Sequence, residues 1–148
     1  MYLGLDCSTF AVHAAIVDDE ETLISLNKSS SKKKKFEERF PEIMVDFSEY
    51  LSKIKVTNAI IEAAIYIQNP KTTIAIAHVV GAVWFVLIKA GIDTAIVQNK
   101  EWKRDILKGN VSKEEIKKFA IEKWGDIFPE QDYADAACIA LWRKRDGT

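Results

Sequence analysis

The chain has 148 residues, the size of one ordinary domain, and a formal net charge of −1. Its composition, 48% hydrophobic with only 3 Pro and 6 Gly, excludes a disordered chain and a fibrous one. Taken alone, the balanced charge argues against a nucleic-acid partner, because such proteins are usually basic. Net charge does not show where charges lie, however. We expect a single domain over residues 1–148.

Three features indicate the cellular compartment. Cys7 and Cys138 form no CxxC or Cys/His cluster, so we expect reduced thiols and no zinc site. The N-terminus lacks the basic start and apolar stretch of a signal peptide. The longest apolar run, Ile74 to Ile88, is shorter than the roughly 18–20 residues of a membrane helix. We therefore expect a cytoplasmic protein without membrane association.

The first part of the chain reads as a meander of three strands. Apolar runs begin at Tyr2, extend over 12–17 and recur over 22–26, with short polar links between them. The segment 29–35, three serines followed by four lysines, has the composition of a solvated loop.

Helical and strand-like patterns alternate after this loop. Pro41 suits the first turn of the helix that follows, and Ser112 with Glu115 forms a capping box. The predicted elements are a helix over 36–53, a strand over 58–62, a helix over 71–90, a strand over 93–97, and helices over 112–124 and 131–145. This order, βββαβαβαα, predicts an α/β fold with one mixed five-stranded sheet and helices on its faces.

Four carboxylates occupy unusual positions. Asp6 and Glu62 each end an apolar strand, and Asp132 and Asp135 share one face of the last helix. Each residue could instead have a purely structural role: Asp132 could be a helix N-cap, Asp6 could bond backbone amides in a turn, and Glu62 could be an ordinary strand-end residue. If the first and fourth strands are neighbours, the four carboxylates converge and require cations. Oxygen ligands suit Mg²⁺ or Mn²⁺, and two such ions about 4 Å apart serve phosphodiester hydrolysis.

Three segments carry a family resemblance. Leu3-Gly4-Leu5-Asp6, the stretch 62–81, and Asp132-Tyr133-Ala134-Asp135 resemble, in order and spacing, motifs of the RuvC-type Holliday junction resolvases of the ribonuclease H-like superfamily. The resemblance implies a homodimer that binds four-way DNA junctions and makes paired symmetric nicks. It also implies two Mg²⁺ ions per active site, with Mn²⁺ possible, on Asp6, Glu62, Asp132 and Asp135, and no organic cofactor. A bacterial cell or a phage-infected host fits such a protein.

The resemblance extends to basic residues after the fifth strand. It implies that Lys103 and Lys113 grip phosphate and that Lys113 offsets transition-state charge; the alternative is a solvated basic loop. Three neighbouring basic residues extend this positively charged region, which could bind a phosphate backbone: Arg104, Lys108 and Lys117. Tyr66 is either a base-stacking wedge or a packing residue.

Other residues are expected to have structural roles, and two alternative functions stay open. His13 and His78 lack ligand spacing, so we expect structural roles for both. Trp84 and Phe85 are expected in the core or in a dimer interface, and the basic residues 143–145 at the helix C-terminus first and on DNA second. Two alternative functions stay open: another ribonuclease H-like nuclease acting on RNA–DNA hybrids, flaps or branched DNA, and a non-catalytic nucleic-acid-binding relic.

Overall fold

A computed structural model describes residues 1–65 and 67–146. Its elements in chain order are β1 (Tyr2–Cys7), β2 (Ala11–Val17), β3 (Leu23–Ser30), α1 (Phe36–Ser52), β4 (Asn58–Glu62), α2 (Pro70–Lys89), β5 (Asp93–Val97), α3 (Asn99–Leu107), α4 (Lys113–Trp124) and α5 (Gln131–Asp146). The predicted fold class, a mixed five-stranded sheet with helices on both faces, is confirmed.

The sheet has the strand order β3-β2-β1-β4-β5. β1 pairs antiparallel with β2 and parallel with β4, with Leu5 opposite Ile61. The expectation that the first and fourth strands are neighbours is therefore correct. Because parallel strands end at the same edge of a sheet, the residues that follow Leu5 and Ile61 meet there.

Each face of the sheet buries its own hydrophobic cluster. Helices α1 and α2 cover one face with Ile43, Phe47 and Val83. Helices α3, α4 and α5 cover the other with Trp102 and Ile116 among the fully buried side chains.

Gly4 lets α5 lie directly on the central strand β1. A Cβ at this position would lie 2.1 Å from the carbonyl oxygen of Ala136 and 2.4 Å from the amide nitrogen of Ala140. The small side chains of α5 and the glycine of β1 thus allow backbone-to-backbone packing. This close approach fixes the N-terminus of α5 at the edge where β1 ends.

Helix α2 packs on the sheet by one face only. Val79, Val83 and Leu87 are buried, whereas Phe85 is 65% and Ile88 56% exposed. Among the described residues it is the one helix long and apolar enough to span a membrane by length and composition, a test that core helices also pass.

Three local expectations were wrong. A helix, α3, occupies 99–107, where none was predicted. Ser29 and Ser30 belong to β3 and not to the loop, since the strand runs beside β2 to its end. Pro41 is not in the first turn of α1, because that helix already begins at Phe36.

The basic residues near the C-terminus serve the fold. Arg143 is buried and donates to Asp93 Oδ2 at 2.7 Å. Arg145 and Lys123 both bind the carboxylate of Glu21, in the turn between β2 and β3, and hydrogen bonds from these two residues lower the pKa of Glu21 to about 2. These contacts join the last helices to the sheet, so the charges of Arg143 and Arg145 are used within the protein.

Candidate active site

The carboxyl edge of the central strands positions the candidate site. Asp6 follows Leu5 on β1, and Glu62 follows Ile61 on the adjacent parallel strand β4. The first two turns of α5, which is held against β1 at Gly4, bring Asp132 and Asp135 to the same edge. The four acids predicted from the sequence thus come from three elements that meet at one place.

Three of these carboxylates lie close enough to share a cation. One oxygen from each of Asp6, Asp132 and Asp135 falls within 4.8 Å of the others. Burial raises the pKa of Asp6 well above its usual value, and the neighbouring charge of Glu62 raises it further. Burial also raises the pKa of Asp135 to about 6, although a hydrogen bond from Gln131 and the charge of Lys103 oppose the shift. A bound divalent cation would offset both the burial of these charged carboxylates and their mutual repulsion, so the donor set fits such an ion.

Glu62 stands beside this group and is oriented by α3. Its Oε2 accepts hydrogen bonds from the side-chain amide of Asn99 at 3.0 Å and from the indole nitrogen of Trp102. These contacts distinguish Glu62 from an ordinary strand-end residue, because two side chains hold one oxygen of the carboxylate.

The ordinary readings of Asp132 and Asp6 do not hold. Asp132 is the second residue of α5 and lies inside the helix, so it is not the N-cap. In the turn after β1, the amides of Phe10 and Ala11 donate to Ser8 Oγ at 3.2 and 3.1 Å. Ser8, and not Asp6, therefore closes this turn.

Two predicted lysines lie beside the carboxylates. Lys103 is only 8% exposed, with its Nζ 5.4 Å from the centre of the Trp102 ring, and its charge favours ionised Asp135. Lys113 begins α4, and its charge favours ionised Asp6. The alternative of a solvated loop is thus wrong for Lys103. A cleft of about 370 Å³ between α3 and α4 is lined by Lys103 together with Asn99 and residues 109–112.

The other predicted DNA contacts are more dispersed. Arg104 and Lys108 are exposed on α3 and at its C-terminus, and Lys117 is partly buried one turn into α4. None of these three has a contact that ties it to the acids in the described structure. Tyr66, the predicted stacking or packing residue, lies outside the described residues.

Sequence reasoning missed the residues that support the acids. Gln131 Nε2 donates to Asp135 Oδ1 at 3.0 Å and to the backbone oxygen of Lys113 at 2.9 Å. His13 lies opposite Asp6 in the register of β1 and β2, and its Nε2 is 2.9 Å from Glu130 Oε2. His13 is seven positions from Asp6 in the chain, and it reaches the site through the pairing of β1 with β2. Only a prediction of that strand register could have pointed to it.

The chain is 31% identical over 107 residues to the crossover junction endodeoxyribonuclease RuvC of Brachyspira hyodysenteriae, a match of 72% of this chain and 67% of the relative. No family model matches the chain.

Solved structures share the fold. RuvC of Thermus thermophilus, in complex with a Holliday junction substrate, aligns with a TM-score of 0.81 at 18% identity, over 96% of this chain and 91% of that one. The yeast mitochondrial Holliday junction resolvase aligns with a TM-score of 0.65 at 15% identity, over 97% and 77%.

Proposed function

Because the chain belongs to the RuvC family of crossover junction endodeoxyribonucleases, we propose that it resolves four-way DNA junctions by metal-dependent phosphodiester hydrolysis. One observation carries the proposal for this chain itself: the oxygens of Asp6, Asp132 and Asp135 converge within 4.8 Å at the carboxyl edge of the sheet. A relic binding module has no need for such a costly group of partly buried carboxylates.

Asp6, Glu62, Asp132 and Asp135 would hold the divalent ions. Their ligand atoms are all carboxylate oxygens, the type that Mg²⁺ and Mn²⁺ accept. When bound, such ions activate water for attack on phosphorus and stabilise the leaving oxygen. We propose two ions per site, since four carboxylates exceed what one ion needs for charge balance.

The surrounding residues orient the acids and attract the phosphate. Trp102 and Asn99 fix one oxygen of Glu62, and Gln131 fixes Asp135. Lys113, exposed at the start of α4, offers an ammonium group to the phosphate opposite Asp6. Lys103 is buried behind the acids, so its role is to offset their mutual repulsion.

We further propose a homodimer formed through α2. The outer face of this helix exposes Trp84, Phe85 and Ile88, although its inner face is packed on the sheet. Apolar side chains clustered on one exposed face are typical of an interface. In the described part of the chain, the candidate acids Asp6, Asp132 and Asp135 form a single candidate active site, so paired symmetric nicks require two copies.

A cleavage assay tests the proposed function. Purified protein with Mg²⁺ should convert a synthetic four-way junction into nicked duplexes, whose two nicks lie at symmetric positions. The Asp6→Asn variant should bind the junction with unchanged affinity and cut it at least a thousandfold more slowly (~4 kcal/mol in barrier). Equal cutting of plain duplex or of an RNA–DNA hybrid would instead favour a broader ribonuclease H-like nuclease. Loss of junction binding in Asp6→Asn would show that Asp6 serves affinity and not hydrolysis.

A further inference from the structure

His13 occupies a position that its structural role does not explain. It lies directly opposite Asp6 in the pairing of β1 with β2 and is 2% exposed. The ring of Tyr133 packs against it edge-on, with centroids 4.7 Å apart. A buried imidazole in this place is flanked by the acids of the candidate site, not by the apolar core alone.

The two ring nitrogens of His13 have different surroundings. Nε2 lies 2.9 Å from Glu130 Oε2, and the other oxygen of Glu130 accepts from Lys28 Nζ at 2.7 Å. Nδ1 is buried and has no hydrogen-bond partner among the described residues. Oδ2 of Asp132 lies 3.7 Å from Nδ1.

The contact with Glu130 occupies Nε2 of the His13 ring. A carboxylate only accepts, so Nε2 is the ring atom that donates to Glu130, and Nδ1 is left for a second partner. The 3.7 Å between Nδ1 and Asp132 Oδ2 is too long for a direct hydrogen bond. A buried nitrogen without a partner in the described structure, next to a carboxylate oxygen at this distance, has the arrangement of two donors to one bound ion.

We propose that Nδ1 of His13 is a metal ligand, and that Asp132 is shared between it and the group of Asp6 and Asp135. Two donors 3.7 Å apart are both within reach of one ion at bonds of about 2.0–2.2 Å. Glu130, behind the ring, is the carboxylate that commonly orients a metal-binding histidine. Within the group of His13, Glu130 and Asp132, whose potential ligand atoms lie within 4.8 Å of one another, the ligands are Nδ1 and Asp132, and Glu130 is the orienting carboxylate.

A nitrogen ligand changes the metal preference of the site. Mg²⁺ is a hard cation that takes oxygen ligands in near-ideal octahedral geometry, whereas a transition-metal ion such as Mn²⁺ tolerates a nitrogen ligand better. The proposal therefore specifies Mn²⁺ as the tighter-bound ion at this position. It rests on the proposed function for the carboxylates that it extends, but it can be tested without DNA.

The deciding experiment is pulsed EPR of the full chain loaded with Mn²⁺. A coordinated imidazole gives ¹⁴N couplings that carboxylates and water do not. The chain has two histidines, and His78 is exposed on α2, so the variant His78→Gln is a matched control that retains the signal. Mn²⁺ bound to the wild type without imidazole ¹⁴N coupling would overturn the proposal.

Two substitutions refine the test through metal affinity. The amide of His13→Gln can reach the position of Nε2 and keep the bond to Glu130, but it leaves no ligand atom at Nδ1. We expect this variant to lose the ¹⁴N signal and to bind Mn²⁺ at least about tenfold more weakly, with a smaller effect on Mg²⁺. His13→Asn places its amide near Nδ1 and should lose the ¹⁴N signal while keeping more of the affinity. Unchanged Mn²⁺ affinity and signal in both variants would contradict the proposal.

The outcome is separable from that of the proposed function. If the protein shows imidazole coupling but does not cut junctions, His13 is a metal ligand and the proposed resolvase function is wrong. If the protein cuts junctions but shows no imidazole coupling, the resolvase function stands and His13 is not a metal ligand.

Discussion

The indole nitrogen of Trp102 donates a hydrogen bond to Oε2 of Glu62, so a fully buried aromatic residue of α3 holds a candidate metal ligand of β4. The side-chain amide of Asn99 donates to the same oxygen at 3.0 Å. Helix α3 therefore does more than cover the sheet. It supplies two donors that define the direction of the Glu62 carboxylate.

Trp102→Phe removes the indole donor and retains most of the ring. We expect the free energy of unfolding to fall by about 1–3 kcal/mol, because a partly buried carboxylate loses a partner. We also expect about tenfold weaker Mn²⁺ binding, because the orientation of Glu62 is lost. Urea unfolding and titration calorimetry measure the two effects.

Trp142→Phe is the matched control for this prediction. Trp142 also donates its indole N–H to a carboxylate, Asp105 Oδ2 at 2.9 Å, but away from the candidate site. It should lose stability without losing metal affinity. Equal losses of Mn²⁺ affinity in the two variants would show that Trp102 acts through general stability alone.

Gly4→Ala should destabilise the protein severely. Its Cβ would overlap the backbone of α5 at Ala136 and Ala140, and backbone cannot move aside without separating the helix from the sheet. We expect a loss of at least about 3 kcal/mol in unfolding free energy, or failure to fold. Thermal and urea unfolding measure the loss.

Gly81→Ala provides the opposite case. A Cβ at Gly81, inside α2, would meet no atom within 4 Å. Alanine is the better helix former, so we expect stability to rise by about 0.5–1 kcal/mol. Gly81→Ala therefore serves as the control for Gly4→Ala. If Gly4→Ala lowered the free energy of unfolding by no more than an ordinary surface substitution, the close packing of α5 on β1 would be contradicted.

The metal-free protein should lose stability as pH rises from about 4 to 6. Burial raises the pKa of Asp135 to about 6 from 3.8, so in this range the folded state binds more protons than the unfolded state. Unfolding free energy therefore falls with pH, by about 3 kcal/mol for this group at one pKa unit per ~1.4 kcal/mol. Asp6, whose pKa is also raised, contributes in the same direction.

Asp135→Asn isolates this contribution. Because asparagine does not titrate, the variant should become more stable relative to wild type between about pH 3.5 and pH 7, by the same ~3 kcal/mol. Saturating Mn²⁺ at pH 7 should restore the wild type and stabilise the variant less. A stability difference between the two proteins that is constant with pH would disprove the raised pKa.

Phe85→Glu should separate the proposed dimer. Phe85 is 65% exposed on the outer face of α2, so the folded protomer loses little, whereas a dimer would bury one charge from each copy. We expect the dimer dissociation constant to rise by about two orders of magnitude or more. Light scattering at micromolar concentration measures the oligomeric state.

Val45→Glu is the corresponding control on α1, where Val45 is 69% exposed. It should leave the oligomeric state unchanged. A monomeric wild type, or a dimer that persists in Phe85→Glu, would contradict an interface through α2.

The strand-end acids could be found from the sequence because their signal is local. An apolar run followed at once by Asp6 or Glu62, and two aspartates three apart before a stretch of small residues, stand out without any tertiary information. The predicted pairing of β1 with β4 is observed, and it brings Asp6 and Glu62 to the same edge of the sheet. Helix α3 escaped prediction because its nine residues carry few apolar side chains and many charges, and because packing of Trp102 and Ile106 on the sheet stabilises it.

The sequence by itself determined the order of every element except α3, the α/β fold class and the choice of four candidate carboxylates, because hydrophobic periodicity and strand ends are visible in neighbouring residues. Only the tertiary structure decided that Lys103 is buried beside Asp135, that α2 leaves an apolar face exposed, and that His13 faces Asp132. These relationships join residues far apart in the chain. They depend on strand register and on the close approach at Gly4, which local patterns do not specify.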